Sequence, residues 1–228
     1  MNEYFQIRQN GRTAKIYIYG YIQSYAGYDG VNAKCIVDQI KELDADEIHV
    51  HIDSYGGAVS EGWAIYNALR EHPAKIVTYG DGFVASAALY PFMAGDERYA
   101  SNLSAYFFHQ VMTFASGYAE DLRAAADEAD VLTEIGMAAF TERAGMSEDT
   151  VRQLMENETW LSPQQALEHG VATAIVSDAT PKLQQNVKKM ILQQFTGQSE
   201  QLLAAPAPKT PEAKPIETKP NIMQLFKL

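Results

Sequence analysis

Two periods take turns along the first 180 residues of this chain. Short runs suited to strands alternate with segments whose apolar residues return every three or four positions, the spacing of one helix face. Lys15–Tyr19 reads as a strand, and Val31, Cys35, Ile36, Ile40 and Leu43 fall at helical spacing. Glu47–Ile52 is the next strand, broken by Gly56-Gly57, and Val59–Leu69 is a helix with Pro73 just past its end. Lys75–Tyr79 is a strand and Phe83–Met93 an apolar, small-residue helix. Arg98–Ala100 and Ala105–His109 are strand-like. A long helix spans Ala119 to Arg143, with Leu122, Ala125, Ala129, Leu132, Ile135 and Ala139 on one stripe and Gly145 at its end. Ser147 and Ser162-Pro163 open two further helices, and Val171–Val176 closes the series as a strand. Repeated β-α-β units of this kind build a mostly parallel sheet flanked by helices, an α/β fold.

The pattern stops near residue 180, which sets the expected boundary of a folded domain at 1–180. Residues 181–205 are Gln-rich and suit a marginal helix. Five of the nine prolines then fall in residues 206–228, a Pro/Lys-rich extended linker ending in an apolar tip of Ile222, Met223, Leu225, Phe226 and Leu228. Charge divides at the same place: the net charge is −11, but residues 1–180 carry about −15 and the tail about +4. An acidic domain repels nucleic acid and anionic lipid, which makes both poor partners. No apolar run reaches the length of a membrane span, no secretory signal opens the chain, and a single cysteine founds neither a disulfide nor a cysteine zinc site. A soluble protein of a reducing cytoplasm is the expectation, and Cys35, on the apolar stripe, is expected in the core.

Strand-to-helix junctions are where α/β proteins carry reactive groups. Four are conspicuous: Asp53-Ser54-Tyr55-Gly56-Gly57-Ala58, Gly82-Phe83-Val84-Ala85-Ser86-Ala87-Ala88, Phe107-Phe108-His109-Gln110, and Glu158-Thr159-Trp160-Leu161-Ser162. Each has an ordinary reading when taken alone. Gly56-Gly57 makes a tight turn, Ser86 bonds its own helix backbone, His109 is a satisfied core histidine, and the acids before Trp160 form a solvated turn. The chemical readings are as clear. Paired glycines turn backbone N–H groups toward an anion, a serine at a helix start gains from the same polarity, and a neutral imidazole is a base. His49, His51 and Asp53 share one strand face, too few groups for a metal site by themselves, while His72 and His169 sit at helix ends.

Taken in order, the four motifs resemble those of the Clp protease proteolytic subunit, a serine peptidase family, over about Lys15 to Val176. The resemblance implies the fold shared with crotonases, built of repeated β-β-α units, followed here by a disordered tail. It implies peptide-bond hydrolysis, with Ser86 as nucleophile, His109 as base and Glu158 as the acid that orients the imidazole. N–H groups of Gly57 and Ala87 would form the oxyanion hole, and Ala58, Val59 and Ser60 would pair with a protein or peptide substrate as an added strand. No metal and no organic cofactor is implied. Partners would be copies of the chain in a ring, a heptamer or a double ring, and an AAA+ unfoldase, since the chain has no phosphate-binding loop of its own.

Three departures stand out: Tyr55 replaces a proline, Ala87 a methionine and Glu158 an aspartate. With the basic, proline-rich tail, the Glu-Thr-Trp-Leu version is similar to the phage head-maturation (prohead) branch. That branch would act inside a procapsid on capsid or scaffold proteins, without an ATPase. Two rivals share the fold: a crotonase-like acyl-CoA enzyme, which also holds an oxyanion at a Gly-rich turn, and a catalytically silent ring scaffold.

Overall fold

The computed structural model describes residues 5–23 and 30–176. The expected boundary near residue 180, the Gln-rich segment and the proline-rich tail lie outside these described residues. Strands β1 (Phe5–Asn10), β2 (Thr13–Tyr19), β5 (Glu47–Ser54), β6 (Lys75–Ala85), β7 (Glu97–Ser101) and β10 (Ala174–Val176) run across one sheet in that order. All of these neighbours pair parallel except β1, which forms an antiparallel hairpin with β2. Beyond β7, the far end of β6 pairs parallel with β8 (Ala105–Phe107), and β8 pairs antiparallel with β9 (Trp160–Leu161). A small parallel pair, β3 (Tyr21–Gln23) and β4 (Gly30–Asn32), stands apart from this sheet.

Alternation along the strands selects the faces. Ile16 and Ile18 of β2, Ile48, Val50 and Ile52 of β5, and Ile76 of β6 are buried in one core. Helices α1 (Ala33–Glu42), α2 (Val59–Glu71) and α3 (Leu89–Met93) add Ile36, Ile40, Ile65, Leu69 and Phe92 to it. The opposite face carries Tyr17, His51, Tyr79 and Tyr99 as a half-buried ladder of stacked rings. Helices α4 (Ala119–Ala144), α5 (Glu148–Glu156) and α6 (Pro163–Glu168) are the remaining helices among the described residues. Local chemistry sets their ends: Gly145 stops α4 at φ 68°, Ser147 caps α5, and Ser162 with Gln165 forms a capping box on α6.

Three expectations need correction. Phe83–Met93 is not one helix. β6 runs on to Ala85 because β8 takes up its backbone groups at Phe83↔Ala105 and Ala85↔Phe107, and a 3₁₀ turn, Ser86–Ala88, separates it from α3. Cys35 is exposed, because the buried stripe of α1 is Ala33, Ile36 and Ile40, and Cys35 lies about 100° around from Ile36. The expected stripe on α4 is not its buried face: of its members only Ala139 is buried, Leu122 and Ile135 are exposed, and the helix buries Thr133, Gly136, Met137 and Phe140 instead.

Candidate active site

Three neighbouring strands bring the singled-out residues to one edge of the sheet. Ala85, Phe107 and Trp160 stand side by side in the ladder of β6, β8 and β9. Ser86 follows Ala85 directly, His109 lies two residues past Phe107, and Glu158 lies two residues before Trp160 on the antiparallel strand. All three therefore emerge at the same end. Ser86 turns sharply, with φ 56°, a left-handed conformation that costs a residue bearing a Cβ about 1 to 2 kcal/mol. The turn aims its Oγ at His109, whose Nε2 lies 2.6 Å away. Close backbone contact sustains the turn. A Cβ on Gly56 would meet Ser86 Cβ at 2.8 Å, and one on Gly62 of α2 would meet the Ala87 carbonyl at 2.6 Å.

Glu158 owes its place to the end of α5. The Thr159 N–H donates to Leu154 O and the Glu158 N–H to Met155 O, the paired bonds of a Schellman motif. Its left-handed position, usually a glycine's, is here filled by Glu158 at φ 48°. The carboxylate is exposed, and among the described residues it makes no side-chain hydrogen bond, to His109 or to any other group. It reaches the imidazole through charge alone. Burial holds the His109 pKa below its ordinary value, and the negative charge of Glu158 and a backbone hydrogen bond at Gln110 oppose that shift without overcoming it. His109 is thus kept neutral, the form that accepts a proton.

The Gly56-Gly57 turn is fixed from two sides. Buried Ser54 donates its hydroxyl to Gly20 O at 2.5 Å and accepts the Gly56 N–H at 3.0 Å. Ile22 donates to Gly56 O and accepts from the Ala58 N–H. These bonds bracket Gly57, whose φ of 145° and close approach to Ile22 exclude a side chain. Asp53 ties this turn to β6 by accepting the Phe83 N–H at 2.9 Å.

A cavity of about 550 Å³ gathers Gly57, Ala58, Val59, Ser86, Ala87, His109 and Glu158. Ser60 is exposed in the first turn of α2 and does not line it. Of the expected substrate-pairing segment only Ala58 is extended, at φ −66° and ψ 122°, because α2 begins at Val59. The cavity's apolar wall, with Leu89, Phe140 and Met155, and Tyr21 of its rim were not singled out in the sequence; Tyr55 and Trp160, also on the rim, stood in the motifs without a binding role. Three of the four remaining histidines are engaged elsewhere: His49 Nδ1 with Tyr79 Oη, His51 Nδ1 with Asp81, and His72 with Leu43 O and the Ala74 N–H. Among the described residues no group of three or more His, Cys, Asp or Glu is placed to hold a metal, and no helix is long and apolar enough to cross a membrane.

This arrangement of serine, histidine and Gly-rich turn coincides with a family match: the Clp protease family model covers residues 10–179. The chain belongs to the Clp protease family. Clp protease proteolytic subunit 2 of Treponema pallidum (strain Nichols), described as ATP-dependent, is 32% identical over 150 residues, covering 63% of this chain and 75% of the relative. The corresponding subunit 2 of Mycolicibacterium paratuberculosis is 29% identical over 165 residues, 70% of this chain and 82% of the relative. A ClpP1 mutant from Listeria monocytogenes shares the fold, with a TM-score of 0.61 at 24% identity over 74% of this chain and 92% of that one. The Clp protease family is one of serine-type peptidases, and its α/β fold, a mixed sheet flanked by helices, is the one described above.

Proposed function

We propose that the chain is a serine endopeptidase working inside a ring of its own copies, with Ser86, His109 and Glu158 as its catalytic residues. The observation that carries this reading is the 2.6 Å approach of Ser86 Oγ to His109 Nε2 in the wall of the cavity. Ser86 Oγ attacks the scissile carbonyl as His109 Nε2 takes its proton. The same proton passes to the leaving amine as the C–N bond breaks. Water then hydrolyses the acyl-enzyme with His109 again as base, releasing the acid and restoring the serine. Glu158 stabilises the imidazolium electrostatically. The N–H of Ala87, second residue of the 3₁₀ turn, and that of Gly57 receive the oxyanion, and losing one such donor costs about 10² to 10³ in rate.

Family membership supports assembly with copies of the chain and work with an AAA+ unfoldase in a cytoplasm. The prohead reading, with capsid or scaffold proteins as substrates inside a procapsid, rests on the Glu158-Thr159-Trp160-Leu161 motif and the Pro/Lys-rich tail. Both readings meet one experiment: intact mass of wild type and Ser86→Ala after the same incubation, each with a fluorophosphonate probe. A single adduct on wild type alone is expected. Tail loss only in wild type favours the prohead branch. Thioester hydrolysis without peptide cleavage would favour the crotonase-like alternative. No adduct on the assembled protein would leave a silent ring scaffold.

A further inference from the structure

A chain of stacked rings leaves the candidate active site from His109. Phe107 lies nearly parallel to the imidazole with centroids 5.3 Å apart, and Trp160 stacks on Phe107 at 4.6 Å. Phe83 meets Trp160 edge-on at 5.5 Å, and Tyr55 lies tilted on Phe83 at 4.9 Å. These are not core residues: Tyr55 is 55% exposed, Trp160 45% and Phe83 38%. The backbone explains their alignment, since Phe107 and Trp160 are directly opposed across β8 and β9. It does not explain why large aromatic rings occupy a solvent-facing row. A contiguous exposed apolar patch beside a reactive pair is a binding feature.

The chemistry orients the patch. His109 Nε2 delivers its proton to the departing amine, so the residues after the scissile bond lie over His109 and over whatever continues from it. That continuation is the ring row. The helices α2 to α5 instead furnish the cavity's apolar wall through Val59, Leu89, Phe140 and Met155. Tyr55 lines both this cavity and a second one of about 500 Å³, which Phe83 and Leu103 also line, so the rings bridge two hollows along the surface.

We infer that Trp160, Phe83 and Tyr55 form a subsite selecting an aromatic or large apolar side chain on the leaving-amine side of the cleaved bond. The inference rests on the peptidase reading and adds a specificity to it. Quenched fluorescent peptide pairs that differ only in the first residue after the scissile bond, Phe against Gly, test it directly. Wild type should favour Phe by about tenfold in kcat/KM, and Trp160→Ala or Phe83→Ala should reduce that ratio to about twofold. Trp160→Phe should restore most of it. Each ratio is taken within one variant, so losses of folding or assembly cancel. A readout independent of turnover is the tryptophan emission of Ser86→Ala, which should respond to a peptide amine beginning with Phe and not to one beginning with Gly. Equal rates for the wild-type pair, or a tenfold preference that survives both alanine variants, would overturn the inference while leaving the peptidase intact. Absence of any peptide cleavage together with absence of Ser86 labelling would instead overturn the peptidase reading, and the subsite with it.

Discussion

Gly57→Ala offers the sharpest test of the idea that backbone placement governs this site. The added Cβ would lie 2.1 Å from the Ile22 carbonyl oxygen, inside the 3.0 Å that real Cβ contacts essentially never breach. Side-chain motion gives no relief, because the obstacle is backbone that also accepts the Ala58 N–H. At φ 145° the alanine would be strained as well, at about 1 to 3 kcal/mol. The turn must therefore shift by roughly 1 Å, and misplacement of that size near reacting atoms costs about 100-fold in rate. Loss of the oxyanion donor proposed at the Gly57 N–H predicts about the same, 10² to 10³. The assay is peptidase kcat/KM alongside the melting temperature, with Gly11→Ala as comparison. Gly11 also has positive φ, but no atom lies within 4 Å of its added Cβ and it sits in the β1–β2 hairpin. Gly11→Ala should lose stability and keep its activity. A Gly57→Ala protein within threefold of wild-type activity would refute the reasoning.

Other expectations concern charge and burial. Because His109 is shifted down from 6.5, kcat/KM should rise with pH through a midpoint below that value, and a flat profile or a midpoint near 7 would contradict it. Glu158→Gln removes a charge that favours the imidazolium, so the midpoint should fall further while the rate drops; an unchanged profile would mean the carboxylate does not act on His109. Replacing Glu158 with glycine relieves the left-handed strain and should raise stability by about 0.5 to 1 kcal/mol as it lowers activity, measurable by denaturant unfolding alongside the peptide assay. Arg98, buried, donates to the carbonyls of Val171, Gly95, Arg143 and Gly170, so Arg98→Met should cost about 3 kcal/mol or more in a denaturant titration, and a loss below 1 would refute that role.

Much of this architecture is legible where chemistry is local. Ser147, Ser162-Pro163 and Gly145 mark helix ends through bonds made within a few residues, and those ends stand where the residues indicate. Phe83–Ala85 is illegible for the opposite reason. A short apolar run has no period, and its strand state depends on β8, some twenty residues later. The first hairpin was not read from the sequence, although its two-residue loop opens on Gly11, which adopts a φ of 61°. On α1 one position separates Ile36 inside from Cys35 outside, so a loosely drawn stripe misplaces a residue. Ser86, His109 and Glu158 were legible as motifs, but their placement at one edge was not, because the register Ala85↔Phe107↔Trp160 joins segments about 20 and about 50 residues apart. Nor does the sequence disclose that Phe83 and Trp160 touch.

That register has a mechanical corollary. Ser86, His109 and Glu158 hang from adjacent rungs of a single ladder rather than from three independent loops. When the sheet twists or breathes, neighbouring rungs travel together, and the displacement between Ser86 and His109 is only the small shear of one strand pair. The row of rings rides on the same rungs. Insertions elsewhere, as in the β1–β2 hairpin, can reshape the molecule without loosening this edge. A one-residue slip of β8 against β6, by contrast, would move His109 about 3.3 Å along the strand and swing alternate side chains to the opposite face, taking the imidazole out of reach of Ser86 in a single step.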